Sequence, residues 1–208
     1  MDSFNKYLEL HNIHLDKTTL DKFVHFEDFI RRFNRSIKLV ASREVDNLWL
    51  RHFADSLSPF VEGILPSSGN FLDIGSGAGL PGIPLAIVNN EFNITMAESN
   101  QRKARFISRT IIGLSLDNAR VFSERFERIN GVFDIILIRA VYSDYNILSS
   151  LKRFIPISGM CIFYKGSDYA ATLPDKYILD DNGFSEARII RPSGLSGESV
   201  LVVFYKVR

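Results

Sequence analysis

The segment Asn70-Phe71-Leu72-Asp73-Ile74-Gly75-Ser76-Gly77-Ala78-Gly79-Leu80-Pro81-Gly82 limits the chain to few folds. A short apolar run ends in an acid and breaks into clustered glycines, and a further apolar stretch with helical spacing follows. Such a run is too short for a helix but suits a buried strand, and glycines let the backbone take positive φ and approach a ligand closely. A strand, a glycine turn and a helix form the ligand-binding corner of an open α/β sheet.

The rest of the pattern agrees. Strands are expected at Phe71 to Ile74, Ile94 to Ala97, Arg120 to Ser123, Phe133 to Ile138 and Met160 to Tyr164, with helices at about 80–90, 100–114 and 144–154. This alternation predicts a parallel sheet covered on both faces. Phe184 to Ile190 and Val200 to Val207 read as two further strands with no helix between them, an antiparallel pair closing the sheet. The fold class is therefore α/β, a Rossmann-like, mostly parallel sheet of seven strands.

Before this sheet, residues 1–65 read as a helical N-terminal extension, separated from a core at 66–208 by the turn Pro66-Ser67-Ser68-Gly69. Leu20, Phe23, Phe26, Ile30, Phe33 and Ile37 recur at helical spacing after a near-capping box of Thr18 and Asp21. A second helix is expected over about 42–61, with Pro59 ending or kinking it early, and a short one between Phe4 and Leu15.

With 46% hydrophobic and 24% charged residues, the chain has the balance of a globular protein, and no stretch approaches the ~18 apolar residues of a membrane span. The N-terminus lacks the pattern of a secretory leader, and the lone Cys161 sits in an apolar run, so a cytoplasmic protein without disulfides is expected. His11, His14 and His25 lack ligand companions, so no metal is expected. A net charge of only +1 excludes a protein that grips nucleic acid by overall charge, but local clusters stand out. Arg31, Arg32, Arg35, Lys38 and Arg43 lie between Asp28 and Glu44 with no acid among them, and Arg102, Lys103, Arg105 and Arg109 lie likewise between Glu98 and Asp117. Each is a candidate phosphate contact or simply a solvated helix face.

Asp73, at the end of the first strand, can orient the glycine turn of Gly75, Gly77 and Gly79 or receive a cationic amino-acid ligand. Glu98 closes the second strand 19 residues after Gly79, where a carboxylate can accept both ribose hydroxyls of an adenosine. Gly77 to Gly82 also matches G-x-G-x-x-G, so a dinucleotide-dependent oxidoreductase is the alternative. Pro81 and Pro84 remove two amide donors from the helix start, which suits a ligand without phosphate better than a pyrophosphate.

Gly75 to Ile87 resembles GTGxGLPGIPLAI, the signature of the small-subunit ribosomal RNA methyltransferase G family, also called glucose-inhibited division protein B. Arg51-His52-Phe53-Ala54-Asp55-Ser56 is similar to its RHxxDS element, and Glu98-Ser99 with Lys103 and Phe106 to its second-strand element. Arg125-Phe126-Glu127, Phe133-Asp134, Arg139-Ala140 and Lys165-Gly166 follow in the family's order, so the resemblance covers about residues 20–205. It implies a class I methyltransferase that uses S-adenosylmethionine (SAM) to methylate N7 of one guanine in 16S rRNA of the small ribosomal subunit. It also implies that Gly75 and Leu80 contact SAM, that Phe126 and Glu127 flank its adenine, and that Arg139 sits at the pocket mouth. Lys38-Leu39-Val40 replaces the family's Asn-Leu-Thr, and Gly197-Glu198-Ser199 its Gly-Glu-Arg.

Arg139 also ends an apolar strand, where ligands of such sheets bind and where an arginine can equally pair with a sheet-end carboxylate. Arg51 and His52 stand at the expected seam, with His52 either contacting RNA or satisfied by Asp55. Lys165 reaches the same sheet edge and is a further candidate for phosphate, whereas Tyr142 and Tyr145 either stack on a base or pack internally. A monomer is expected. A non-catalytic SAM- or RNA-binding module is the third alternative.

Overall fold

The computed structural model describes residues 1–139, 145–195 and 199–208. Seven strands, β1 (Gly69–Ile74), β2 (Phe92–Ala97), β3 (Ala119–Phe122), β4 (Ile135–Arg139), β5 (Met160–Lys165), β6 (Arg188–Ile190) and β7 (Val200–Tyr205), form one sheet in the order β3-β2-β1-β4-β5-β7-β6. β1 pairs with both β2 and β4 in parallel, so the glycine turn leaves the centre of the sheet. The expected antiparallel pair is present, but only β7 runs against the others, inserted between β5 and β6. An all-parallel dinucleotide-binding sheet of order 3-2-1-4-5-6 has no such strand.

Strand periodicity divides the core into two. Phe71, Ile94, Met96, Ile135, Leu137, Ile162, Leu201 and Val203 face the helices α1 (Asp2–Leu10), α2 (Lys17–Ile37), α4 (Gly82–Val88) and α5 (Gln101–Gly113). Their neighbours Leu72, Ile74, Ile136, Ile138, Cys161, Phe163, Val202 and Phe204 face Tyr145, Leu151, Phe154 and Phe184 on the other side. Cys161 is buried, and burial pushes its thiol up beyond reactivity.

The N-terminal helices follow the apolar pattern but differ from it in detail. The Asp16 side chain, rather than Thr18, caps α2, accepting from the Thr19 amide at 2.7 Å. The expected single helix over 42–61 changes pitch twice, from a 3₁₀ segment (Ser42–Asn47) through a π segment (Trp49–Ala54) to α3 (Asp55–Val61). Pro59 does not break α3. It cannot donate to the Asp55 carbonyl one turn earlier, and the Ser58 hydroxyl does so instead at 2.7 Å. The helix predicted at 144–154 is a single turn, α6 (Leu148–Leu151), and an unforeseen α7 (Lys176–Asn182) ends at Gly183 with φ +71°.

An aromatic cluster locks this segment together. Phe53, fully buried, packs on Phe23, Phe26 and Trp49 with ring centroids 5.5, 5.2 and 5.4 Å away, and the Trp49 indole donates to Glu27 at 2.7 Å. Phe53→Ala should therefore cost about 3–5 kcal/mol in urea unfolding, against less than 1 kcal/mol for the exposed Leu10→Ala.

Candidate active site

A cleft of about 820 Å³ opens at the carboxyl ends of β1, β2 and β4. Its floor is the turn after β1, with Gly75, Gly77 and Gly79 at φ +69°, +56° and +79°. Gly77 and Gly79 do different work. A Cβ on Gly77 would meet only the Gly75 carbonyl, at 3.8 Å, and would otherwise stand in the open cleft. Gly79 does not line the cleft, because its Cα faces inward and a Cβ would collide with the Ile83 side chain. It shapes the turn rather than touching a ligand.

Two carboxylates hold this turn. Asp73 is fully buried beneath it, outside the cleft lining, and one of its oxygens accepts from the Gly82 amide at 2.9 Å while the other has no partner. Of the two roles open to it, orienting the loop is the one the geometry supports. Burial pushes its pKa up to about 7, against the pull of the Gly82 hydrogen bond. Glu98, 8% exposed, lines the cleft and accepts from the Gly77 amide at 2.9 Å and the Asn100 amide at 2.8 Å. A carboxylate offers roughly four acceptor positions, so capacity for a ligand's hydroxyls is left.

The start of α4 has no free amides. The Gly82 amide is bound to Asp73 and the Ile83 amide to the Gly79 carbonyl at 2.8 Å, while Pro81 and Pro84 have none. A pyrophosphate would find no donors here. The cradle above Gly77 and the free acceptors of Glu98 instead fit the adenosine and sulfonium groups of SAM. Leu80 also lines the cleft, as do Arg125 and, from the single turn after β3, Phe126 and Glu127.

The remaining wall comes from the N-terminal segment. Asn34 accepts from the Leu39 and Val40 amides at 2.7 and 2.9 Å, turning the chain where Lys38 takes φ +56°, and so places Leu39, Val40 and Ala41 on the cleft. These residues, with Glu44 and Glu124, are not singled out as ligand contacts by the sequence, whereas Ser99 and Lys103, which also line the cleft, belong to stretches that it does single out. The contribution of Leu39, Val40 and Ala41 depends on a bend with no strong sequence signal.

Arg139 joins the two parts. Its Nη2 reaches Asp55 Oδ2 at 2.8 Å, the Arg51 carbonyl at 3.0 Å and His52 Nδ1 at 3.2 Å. It lines the cleft and at once pairs with a carboxylate, which belongs to the start of α3 rather than to a sheet end. Asp55 also accepts from the Ser199 hydroxyl, and the Tyr164 hydroxyl donates to the Ser56 carbonyl at 3.0 Å. His52 is buried with Nε2 at 3.3 Å from Glu44, and burial, reinforced by Arg139 and Arg51, pushes its pKa down to about 3. It is a neutral wall residue whose Nδ1 faces Arg139 and whose Nε2 lies near Glu44 without a hydrogen bond, and Asp55 is not its partner.

The other basic candidates separate. Arg31 is bound to Glu27 at 2.9 Å and to Asp46 at 3.1 Å, so its charge is spent within the fold. Arg32, Arg35, Lys38 and Arg43 are exposed, and Arg51 lines the cleft. Lys165 stands 4.8 Å from the Tyr145 ring, away from the cleft lining. Tyr145 itself is core, against Phe163 and Phe204, and Tyr142, Ala140, Gly197 and Glu198 lie outside the described residues.

Two sets of variants probe the site. Gly77→Asp should abolish SAM binding by filling the cradle. Glu98→Ala should weaken it by about 1.5–3 kcal/mol, the scale of a lost charged hydrogen bond. Unchanged affinity in both folded variants contradicts the assignment.

Stability against pH tests the buried pair with opposite signs. Asp73, raised from 3.8 to about 7, favours the fold when protonated, a contribution fully present below 3.8 and lost as pH rises from there through 7. His52, lowered from 6.5 to about 3, favours it when neutral, a contribution lost as pH falls below 6.5 towards 3. The two windows overlap between about pH 4 and 6.5, so Asp73→Asn should make stability rise more steeply with pH there and His52→Gln less steeply, read by urea unfolding across pH 3–8. The same slopes in both variants as in wild type contradict these burial effects.

Comparison with known proteins agrees with the geometry. A family model described as rRNA small subunit methyltransferase G matches residues 19–179. The ribosomal RNA small subunit methyltransferase G of Xanthomonas oryzae pv. oryzae is 32% identical over 199 residues, covering 92% of this chain and 89% of its own. That of Oenococcus oeni is 31% identical over 173 residues, covering 79% and 71%. Among solved structures, precorrin-6y C5,15-methyltransferase from Geobacter metallireducens matches with a TM-score of 0.54 at 18% identity, over 81% of this chain and 91% of that one. M. jannaschii TYW2 in complex with AdoMet matches with a TM-score of 0.53 at 16% identity, over 73% and 74%. Both share the fold. Nothing here supports the oxidoreductase alternative, and on its sequence match and its sheet the chain belongs to the rRNA small subunit methyltransferase G family.

Proposed function

We propose that this enzyme methylates N7 of one guanine in 16S rRNA of the small ribosomal subunit, acting as a monomer in the cytoplasm. In this reading, residues 66–208 bind SAM and residues 1–65 help to hold the RNA. No helix among the described residues is long and apolar enough to cross a membrane. The observation that carries the reading is the cleft itself, a phosphate-free cradle with Arg51, Lys103 and Arg125 in its lining.

SAM supplies an electrophilic methyl group on a sulfonium. Guanine N7 carries an in-plane lone pair and no proton, so its attack needs no general base, whereas an exocyclic amine or a hydroxyl must lose one. The cleft's imidazole suits the former, since His52 with a pKa of about 3 is a poor base near neutrality. The protein's task is alignment, bringing N7 within about 3–3.5 Å of the methyl carbon. Arg139, fixed by Asp55, has donors left over on its five-donor guanidinium to hold the guanine or the cofactor's surroundings.

Incubation of unmodified small subunits with enzyme and SAM, followed by digestion of the 16S rRNA to nucleosides, should give N7-methylguanosine as the one methylated product. His52→Gln should leave the shape of the rate profile between pH 6 and 8 unchanged. A methyl group on an exocyclic amine or a ribose contradicts the N7 assignment.

A further inference from the structure

The two acid-free basic stretches, about seventy residues apart in sequence, meet in the fold. α2 and α5 pack antiparallel, with Phe33 against Phe106 at 5.8 Å and Phe29 against Gly113, where an added Cβ would come within 2.7 Å of the ring. The end of α2 leads to Leu39 and Val40 in the cleft wall, and the start of α5 carries Lys103 in the same wall. The seam between the helices therefore points at the cleft.

We propose that this seam is a track for the rRNA sugar–phosphate backbone, in which Arg102, Arg105 and Arg109 of α5 bind phosphates opposite Arg32 and Arg35 of α2. The proposal rests on the rRNA substrate argued above and adds a binding surface on the SAM-binding core itself. Arg32 and Arg109 lie over one Phe33 ring, at 5.8 and 5.9 Å, from opposite helices. Arg102, Arg105 and Arg109 recur at spacings of three and four, are exposed, and form no ion pair among the described residues.

Arg31 shows what the fold does with a cation it neutralises itself, pairing it with two carboxylates. These arginines are left as apposed like charges, which a polyanion would relieve. From Arg102 to Arg109 the row runs about 10 Å at 1.5 Å per residue, so it suits a chain of charges rather than one anion. The exposed acids Asp28 and Asp117 lie beside Phe29 and beyond Gly113, at the end away from the cleft. The polarity of the seam thus favours a backbone running towards the site.

The test is the Michaelis constant for small-subunit rRNA between 50 and 200 mM salt, with SAM affinity as the check on folding. The pair Arg105→Glu and Arg109→Glu should raise the Michaelis constant about tenfold or more. It should also reduce the slope against log salt by about 1.4, at ~0.7 per phosphate contact on single-stranded nucleic acid. Arg105→Lys with Arg109→Lys should restore most of both, and SAM affinity should not change. Wild-type values in the Glu pair, alongside a loss in Arg32→Glu with Arg35→Glu, would confine RNA binding to α2 and overturn the track. Wild-type enzyme that leaves small-subunit rRNA unmethylated would remove the substrate reading and, with it, this proposal.

Discussion

The grip of two strand-end carboxylates on the glycine turn decides what this protein can bind. Asp73 takes the Gly82 amide from below and Glu98 takes the Gly77 amide from the neighbouring strand. Together with Pro81 and Pro84 they use up or remove the donors that a helix start would otherwise offer to phosphate. What remains is a cradle open above Gly77, bordered by carboxylate acceptors. The fold accepts a cost for this, because the second oxygen of Asp73 is buried without a partner and the pKa of the group rises to about 7.

The cleft's other half depends on an attachment made far from the turn in sequence. Arg139 at the end of β4 is bound to Asp55, and Tyr164 in β5 to the Ser56 carbonyl, so the start of α3 is pinned where the strands end. One hydrophobic core runs continuously from Phe4 and Phe53 to Leu201 and Val203, which makes the N-terminal helices a layer of the sheet's packing. The same ion pair that secures this layer puts a guanidinium in the cleft wall. A single residue thus links the packing of the N-terminal segment to the chemistry of the site, and its charge is balanced before any substrate arrives.

Much of this was legible in the residues. All seven strands follow from short apolar runs bounded by turn residues, and the position of the cleft from the glycine turn and Glu98 at two strand ends. What escaped was set by contacts between distant segments. Arg31 sits in a stretch free of acids, yet in space it meets Asp46, fifteen residues on. The changes of pitch in residues 42–61 leave the apolar spacing nearly intact, so a single helix was the natural expectation. α7 is only seven residues long and rich in acids, with too few apolar positions to declare a period. The convergence of the two basic stretches needed the packing of Phe33 on Phe106 to become visible.

If this turn is built for an adenosine ligand without a pyrophosphate, side-by-side calorimetric titration of the wild-type protein with SAM and with NAD(H) will separate the two. Saturable one-to-one binding of SAM, with no heat from NAD(H) at the same concentrations, is the predicted result. Binding of NAD(H) in the absence of any binding of SAM would contradict it.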